Sequence, residues 1–265
     1  MKRPGIAVFD SGLGGLTVLR ALRGQLPKED FFYFADTRFL PYGDRPEVFL
    51  KERGVLIARA LVARGAKALV IACNTATAAA AEEIRAAVDV PVVAMEPGVK
   101  PAAALSQSGR IGVMATTRTV SSPRFQRLLD NHASHVEVIA QACPGLAEAI
   151  ETHGPESAEV ATLLDCFVSP LAAAGVDVVA LGCSHYPWVA AAIAQRLPPG
   201  VQLLDTGEAI ARQLERMLTA GHLLGGGSGQ LQLATSGAPL TVKATVERLW
   251  GQQGSAHLPV EHWEP

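Results

Sequence analysis

The chain has 265 residues, of which 49% are hydrophobic and 18% charged, and its formal net charge is −2. These values are typical of a folded globular protein of one or two domains, and they argue against a basic surface for nucleic acid or anionic membranes. The apolar run at residues 6–9 is shorter than the roughly 7–15 residues of a signal peptide, and no run approaches the about 20 residues of a membrane span. We therefore expect a cytoplasmic protein without nucleic-acid or membrane partners.

Short apolar segments alternate with Ala-rich helical segments along the chain. Strands are predicted at residues 6–9, 31–34, 68–71, 90–94, 110–114, 136–139, 176–181, 201–204 and 231–234. Helices are predicted at residues 15–25, 46–64, 75–88, 97–107, 119–131, 155–174, 188–196, 206–219 and 239–250. Continuous apolar strands separated by helices are typical of parallel sheets covered on both faces, so the pattern predicts an α/β fold. The Gly-rich residues 225–229 are predicted to be a flexible connector, and the tail from residue 251 receives no assignment.

An internal repeat indicates two similar halves. Residues 65–73 and 175–183 each run from a glycine through an apolar strand to a cysteine. Each copy then continues through a helix into a strand that ends in an acid, Glu96 or Asp205. The repeat predicts two similar α/β domains with mainly parallel sheets, related by a pseudo-twofold axis, with the active site in the cleft between them. The predicted domains are residues 1–97 together with 206–265, and residues 98–205.

Two turns follow predicted strands, at the place where open α/β sheets bind ligands. Asp10 and Ser11 open a Gly-rich turn whose glycines, at positions 12, 14 and 15, fit neither a dinucleotide fingerprint nor a P-loop. The rim position of these two polar residues favours a ligand site. The second turn, at residues 40–43, has the sequence Leu-Pro-Tyr-Gly, which is common in loops and by itself indicates little.

Two of the four cysteines lie at the ends of predicted strands. Cys73 and Cys183 each stand where a strand ends and a helix is expected to begin at once, with Asn74 or Ser184 as its N-cap. A thiol at a helix amino terminus is biased toward the thiolate, so this matched pair indicates chemistry. Cys143 and Cys166 lack such a context, and we interpret them as small core residues.

Two thiols in matching halves suit a proton transfer that inverts a carbon centre. One group removes a proton from one face of the carbon and the other returns a proton to the opposite face, and the two exchange roles when the reaction reverses. A cysteine hydrolase needs only one such thiol. No lysine lies in a strand-end motif to anchor pyridoxal phosphate, and the cysteines lack zinc-site spacing, so we expect no cofactor and no metal.

Four motifs together resemble those of glutamate racemases in the aspartate/glutamate racemase superfamily, in both order and spacing. The motifs are Asp10-Ser11-Gly12, Pro41-Tyr42-Gly43, Cys73-Asn74-Thr75 and the Gly-Cys-Ser-His-Tyr-Pro stretch at residues 182–187. The resemblance covers about residues 4 to 250. It implies cofactor-independent interconversion of L- and D-glutamate that supplies D-glutamate for peptidoglycan, and it allows a homodimer.

The resemblance also implies a role for each motif residue. Cys73 and Cys183 are the expected proton donors and acceptors, with Asp10 assisting Cys73, and with His185 and Glu151 assisting Cys183. For Glu151, an ordinary place on a helix surface is an equally good interpretation of the sequence. The expected substrate-binding residues are Asp10, Ser11, Pro41, Tyr42, Gly43, Asn74, Thr75, Thr116, Thr117, Thr119, Ser184 and His185.

Three other functions stay open at this point. A two-cysteine racemase or epimerase for another substrate, such as aspartate, has the same motifs, because sequence does not give the cleft volume that distinguishes side-chain lengths. A single-cysteine decarboxylase or cis–trans isomerase is disfavoured by the intact pair of thiols. A binding or regulatory protein on the same scaffold, or a second role of that kind, is the third.

Overall fold

The structure is a computed structural model, and it describes residues 5–251 and 258–265. Its strands are β1 Gly5–Asp10, β2 Phe31–Ala35, β3 Ala66–Ile71, β4 Val92–Ala94, β5 Arg110–Ala115, β6 Glu137–Ala142, β7 Val178–Gly182, β8 Gln202–Leu204, β9 Leu231–Thr235 and β10 Val260–His262. Its α-helices are α1 Leu16–Gln25, α2 Glu47–Ala63, α3 Asn74–Ala87, α4 Val99–Leu105, α5 Thr117–Val120, α6 Pro123–His132, α7 Leu146–His153, α8 Ala158–Ala173, α9 Ala190–Ala194, α10 Gly207–Ala220 and α11 Pro239–Trp250. Short 3₁₀ turns lie at Thr37–Phe39, Tyr42–Asp44 and Tyr186–Val189. None of the helices in the described ranges is long and apolar enough to cross a membrane.

The strands form two sheets with parallel pairing throughout, as the sequence predicts. The first sheet has the order β10-β9-β2-β1-β3-β4 and the second the order β6-β5-β7-β8. The order β2-β1-β3-β4 in the first sheet therefore recurs as β6-β5-β7-β8 in the second, so the two cysteine-bearing copies of the repeat occupy equivalent places. Gly65 and Gly175, which open the two copies, both have positive φ, a conformation that glycine adopts without strain.

A continuous apolar core joins the two sheets. Because successive side chains of a strand point to opposite faces, one strand can contribute to two clusters. Val8 of β1 and Leu181 of β7 belong to one large cluster that contains residues of both sheets. Phe9 and Ala180, their neighbours in sequence, lie in separate clusters on the outer faces of the two sheets. The shared cluster fixes how the carboxyl ends of the two sets of strands lie relative to each other.

Several predicted helices needed correction. The helix predicted at 119–131 is two helices, α5 and α6, because the Ser122 hydroxyl accepts a hydrogen bond from the Phe125 amide (3.0 Å) and Pro123 occupies the first turn of α6. The helix predicted at 188–196 is a 3₁₀ turn followed by the short α9. Helix α7 was not predicted, and it begins directly after Gly145, which is in the left-handed conformation.

The Gly-rich segment at 225–229, predicted as a flexible connector, is held by hydrogen bonds. The Gly225 amide donates to Glu29 Oε1 at 2.6 Å, and Lys67 Nζ donates to the Gly225 carbonyl at 2.9 Å. The Ser228 amide donates to Asp30 Oδ1 at 2.7 Å. Glycines 225, 226 and 229 have positive φ, a conformation that glycine adopts without strain. The high glycine content of this segment therefore reflects its backbone conformation as well as its flexibility.

The tail that received no assignment contributes an edge strand, whereas residues 252–257 of it lie outside the described residues. Strand β10 pairs in parallel with β9, and Trp263, just after it, packs edge-on against Phe32 and Phe34 with ring centroids 5.6 and 4.9 Å apart. Edge-on aromatic contacts add to the stabilisation that comes from buried area. The tail therefore covers the outer face of the first sheet.

Replacing Trp263 with Ala is expected to lower the free energy of unfolding by about 2 kcal/mol, since it removes a partly buried aromatic ring and two ring contacts. Urea unfolding followed by circular dichroism measures the change. Leu240→Ala, at a side chain that is 84% exposed, is the control and should leave the stability unchanged. Equal stability of Trp263→Ala and the unchanged protein would contradict the packing of the tail.

Candidate active site

The carboxyl ends of strands from both sheets open onto one cleft of about 530 Å³. Most of the predicted site residues line it: Ser11, Pro41, Tyr42, Gly43, Cys73, Asn74, Thr75, Thr116, Thr117, Cys183, Ser184 and His185. Asp10, Glu151 and Thr119 are buried but are not part of the lining. The structure thus brings together residues that are more than 170 positions apart in the sequence. They meet because each follows the carboxyl end of a parallel strand.

A larger depression, of about 920 Å³, lies at the opposite end of the first sheet. The amino ends of β1, β2 and β3 border it, and its lining among the described residues contains neither cysteine nor histidine. Parallel sheets bind their ligands at the carboxyl ends of the strands. The chemistry therefore belongs to the cleft that contains the thiols.

Cys73 lies between β3 and α3 and is only 4% exposed. It is itself the N-cap of α3, and its Sγ accepts a hydrogen bond from the Ala76 amide at 3.4 Å. The prediction that Asn74 caps this helix is therefore wrong. Asn74 is the first helical residue, and neither atom of its buried side-chain amide has a hydrogen-bond partner within the described residues. Since it lines the cleft, this amide is available to a ligand.

Cys183 follows β7, but the helix expected directly after it is absent. A 3₁₀ turn begins at Tyr186 and α9 only at Ala190, and Ser184 caps neither. The Ser184 hydroxyl instead donates to Asp10 Oδ2 at 2.8 Å. The environment of Cys183 is therefore set by side chains and not by a long helix amino terminus.

Asp10 connects the two halves of the site. Its Oδ1 accepts hydrogen bonds from the Gly12 amide (2.9 Å) and the Ser11 hydroxyl (3.2 Å), while Oδ2 accepts from Ser184. Ser11 Oγ also lies 3.5 Å from Cys73 Sγ. Asp10 thus reaches Cys73 through Ser11 and reaches the loop after Cys183 through Ser184.

His185 and Glu151 make the second connection between the halves. His185 Nδ1 lies 3.7 Å from Cys183 Sγ, and its Nε2 lies 2.5 Å from Glu151 Oε1. The same oxygen accepts a hydrogen bond from the Leu13 amide at 2.6 Å. Glu151 is 9% exposed, so the interpretation as a helix-surface residue is wrong: it lies on the buried side of α7.

The glycines of the first turn make this close contact feasible. A side-chain carbon at Gly12 would overlap the Glu151 carboxylate, and one at Gly14 would overlap the His185 ring. The glycines at 12 and 14, which fit no nucleotide motif, therefore allow the side chains of the second half to reach the first turn.

Three of the four predicted threonines form a hydrogen-bonded row across the cleft. Thr75 Oγ1 lies 2.9 Å from Thr116 Oγ1, which lies 2.9 Å from Thr119 Oγ1. Thr75 lies in the first turn of α3 in the first half, and Thr116 and Thr119 belong to the second half. Thr119 therefore acts on the cleft through Thr116 and does not line it.

Sequence reasoning missed one wall of the cleft. Cys143, Pro144, Gly145, Ala147 and Glu148 line it from the start of α7. Cys143 is buried, as expected of a core residue, but it faces the cleft as well. The other cysteine interpreted as a core residue, Cys166, is exposed on α8, so that interpretation is wrong. Predicting α7 would have identified this wall.

Burial is the largest single influence on the pKa of Cys73, Asp10 and His185. It raises the pKa of Cys73 to about 12, with a further contribution from the negative charge of Asp10, and these outweigh the hydrogen bonds from Ser11 and Ala76. The expectation that the helix amino terminus favours a thiolate is therefore wrong for Cys73. Burial also raises the pKa of Asp10. For His185 burial lowers the pKa, but hydrogen bonds to Cys183 and Glu151 outweigh it and hold the pKa well above its usual range.

Comparison with known sequences gives one consistent answer. Residues 51–214 match the family model of the Asp/Glu/Hydantoin racemases. The chain is similar to the glutamate racemase of Pseudomonas paraeruginosa, at 48% identity over 94% of this chain and 95% of that protein. It is also similar to the glutamate racemase of Methylococcus capsulatus, at 48% identity over 83% of this chain and 81% of that protein.

Solved structures agree. The fold is similar to a glutamate racemase isoform from Bacillus anthracis, with a TM-score of 0.87, 29% identity and coverage of 100% of this chain and 98% of that one. The Escherichia coli glutamate racemase, solved with L-glutamate and the activator UDP-MurNAc-Ala, has a TM-score of 0.86, 29% identity and coverage of 98% and 97%. The identity and coverage leave one conclusion: this chain belongs to the Asp/Glu/Hydantoin racemase family and, within it, to the glutamate racemases.

Proposed function

We propose that this chain interconverts L- and D-glutamate by proton transfer between two thiols, without a cofactor, and supplies D-glutamate for peptidoglycan. The observation that carries the proposal is that Cys73 and Cys183, one from each sheet, line the same cleft. Glutamate as the substrate is supported by the names of the relatives and by the L-glutamate bound in the Escherichia coli structure. The two sheets would be the cores of the domains 1–97 with 206–265 and 98–205, and a cytoplasmic homodimer stays a prediction.

The reaction balances without an external reagent. The thiolate of one cysteine takes the Cα proton, and the thiol of the other gives a proton to the opposite face of the same carbon. The product leaves with the two sulfurs in exchanged protonation states. A turnover in the reverse direction restores them directly, and a further turnover in the same direction requires the first sulfur to release its proton to water and the second to take one up from water. The Cα proton is weakly acidic, so the site must stabilise carbanion character with fixed dipoles in a dry cleft.

The surroundings of the two thiols give each a different helper. Asp10, through Ser11, lies on the Cys73 side, and an imidazole with a raised pKa lies on the Cys183 side. The carboxylate of Asp10 disfavours the thiolate of Cys73, while hydrogen bonds to Cys183 and Glu151 raise the pKa of His185. The two half-reactions therefore start from different electrostatic conditions. The substrate carboxylates would be held by hydroxyls, the Asn74 amide and backbone amides, since no arginine within residues 5–251 and 258–265 lines the cleft.

Circular dichroism of glutamate tests the function directly. The purified chain, without added cofactor, is expected to bring L-glutamate and D-glutamate to the same zero ellipticity, and to act on aspartate much more slowly. Activity on aspartate that exceeded activity on glutamate would overturn the substrate assignment.

Removing either thiol should stop the reaction. Cys73→Ala and Cys183→Ala are each expected to lower kcat for both enantiomers by at least about 100-fold, because each loses one of two required acid–base groups. Cys166→Ala, which removes an exposed thiol, is the matched control and should retain full activity. Near-normal activity of either active-site variant would contradict the two-thiol mechanism.

The charge of Asp10 should be visible in the titration of Cys73. Burial and Asp10 raise the pKa of this thiol to about 12, so Asp10→Asn is expected to lower that pKa. The rate of alkylation of Cys73 by iodoacetamide is followed by peptide mapping from pH 7 to 11. The pH at which this rate begins to increase should be lower in the variant than in the unchanged protein. Asp89→Asn, on the exposed surface, is the control. An unshifted profile would exclude the electrostatic contact.

The charge of Glu151 should be visible in the titration of His185. Glu151→Gln keeps an acceptor oxygen but removes the charge that stabilises the imidazolium, so the pKa of His185 should fall. NMR of the imidazole measures it, and the exposed Glu156→Gln is the control. An unchanged His185 pKa in Glu151→Gln would show that Glu151 only fills space.

A further inference from the structure

A buried ion pair lies behind the turn that borders the cleft, and neither of its members belongs to the four motifs. The Asp36 carboxylate, just after β2, is completely buried, and the Arg53 side chain from α2 is 7% exposed. Arg53 Nε donates to Asp36 Oδ2 at 2.9 Å and Nη2 donates to Oδ1 at 2.7 Å. This bidentate arrangement fixes the relative orientation of the guanidinium and the carboxylate as well as the distance between them.

The pair is connected to the cleft through a tyrosine. The Tyr42 hydroxyl donates to Asp36 Oδ2 at 2.5 Å, and Tyr42 with its neighbours Pro41 and Gly43 lines the cleft. The Asp36 amide also donates to the carbonyl of Asp10, at 2.9 Å. One residue therefore touches both turns of the first half that border the thiols.

The hydroxyl of Tyr42 is committed by this contact. A phenol has one proton to donate, and Tyr42 gives it to a carboxylate that is buried and charge-paired. It therefore has no proton left for a substrate carboxylate. Arg53 is occupied in the same way: its Nε and Nη2 both donate to Asp36, and its guanidinium lies 4.6 Å from the centroid of the Phe39 ring. Neither group acts on the substrate directly.

A buried ion pair is expensive to desolvate, and one established use of such pairs is to fix a geometry. We propose that Arg53 is a positioning residue that, through Asp36 and the Tyr42 hydroxyl, holds the turn at residues 40–44 over the cleft. In this arrangement the turn meets the substrate with its backbone, and the Tyr42 hydroxyl serves only to place it. The inference rests on the proposed racemase function.

A double-mutant cycle separates positioning from direct contact. Tyr42→Phe and Arg53→Lys each weaken the link while keeping volume or charge, and each is expected to raise KM for both enantiomers about tenfold with a smaller change in kcat. Because both act through the same link, the double variant should have a KM within about twofold of the worse single variant. A hydroxyl that contacted the substrate directly would instead give KM effects that multiply. Multiplying effects, or an unchanged KM in Arg53→Lys, would overturn the inference.

Hydrogen exchange provides a second measurement that does not depend on activity. Amides in the peptide covering residues 37–46 should exchange faster in Tyr42→Phe and Arg53→Lys than in the unchanged protein. Arg59→Met, at an exposed arginine of the same helix, is the matched control and should change neither exchange nor KM. If the unchanged protein failed to racemise glutamate, the proposed function would fail, and exchange in this peptide would still decide whether Arg53 holds the turn. Unchanged exchange in both variants would overturn the inference.

Discussion

Two buried polar bridges between the sheets determine the geometry of the cleft. Ser184 donates to Asp10, and Glu151 accepts from both His185 and the Leu13 amide. Buried polar groups are costly unless they are paired, so these bridges allow little freedom in how the two halves meet. The two thiols consequently line one cleft formed by both halves, and the shared apolar core beneath supports that arrangement.

The pairing of the two halves explains why the internal repeat need not give two identical sites. Strands β3 and β7 are equivalent in their sheets, yet a regular helix follows Cys73 whereas a 3₁₀ turn follows Cys183. Burial and the charge of Asp10 raise the pKa of Cys73, and the side chain next to Cys183 is an imidazole with a raised pKa. The equivalent positions in the fold place the thiols, and their neighbours differ.

The sequence predicted the fold class, the parallel strands, the two thiols and the turn at Asp10 because these depend on local patterns, whereas the resemblance of the motifs supplied the other cleft residues. An apolar run ending in a polar residue places that residue at a strand end, and parallel strands bring their ends together. Helix α7 escaped prediction, although Leu146 and Ile150 have helical spacing, and with it the cleft wall that contains Cys143 was missed.

Other features depend on contacts between distant segments and leave no local pattern. Glu151 and the Leu13 amide are 138 positions apart in sequence, and their hydrogen bond becomes evident only when α7 is packed against the first turn. In the sequence, Arg53 is one more charged residue of the helix predicted at 46–64, and its role becomes visible only when Asp36 is placed next to it. The pKa of Cys73 could not be predicted either, since a helix amino terminus suggests a lower value while burial, which sequence does not measure, raises it.

The central claim is that two different thiols act on opposite faces of one carbon, and the fate of the Cα hydrogen in deuterium oxide tests it most directly. Proton NMR of each enantiomer, recovered early in the reaction, measures how much deuterium its Cα carries. Two separate thiols predict deuterium in the inverted product while the recovered substrate keeps its original hydrogen. Equal early labelling of substrate and product would show that one shared base serves both faces, and it would contradict the account.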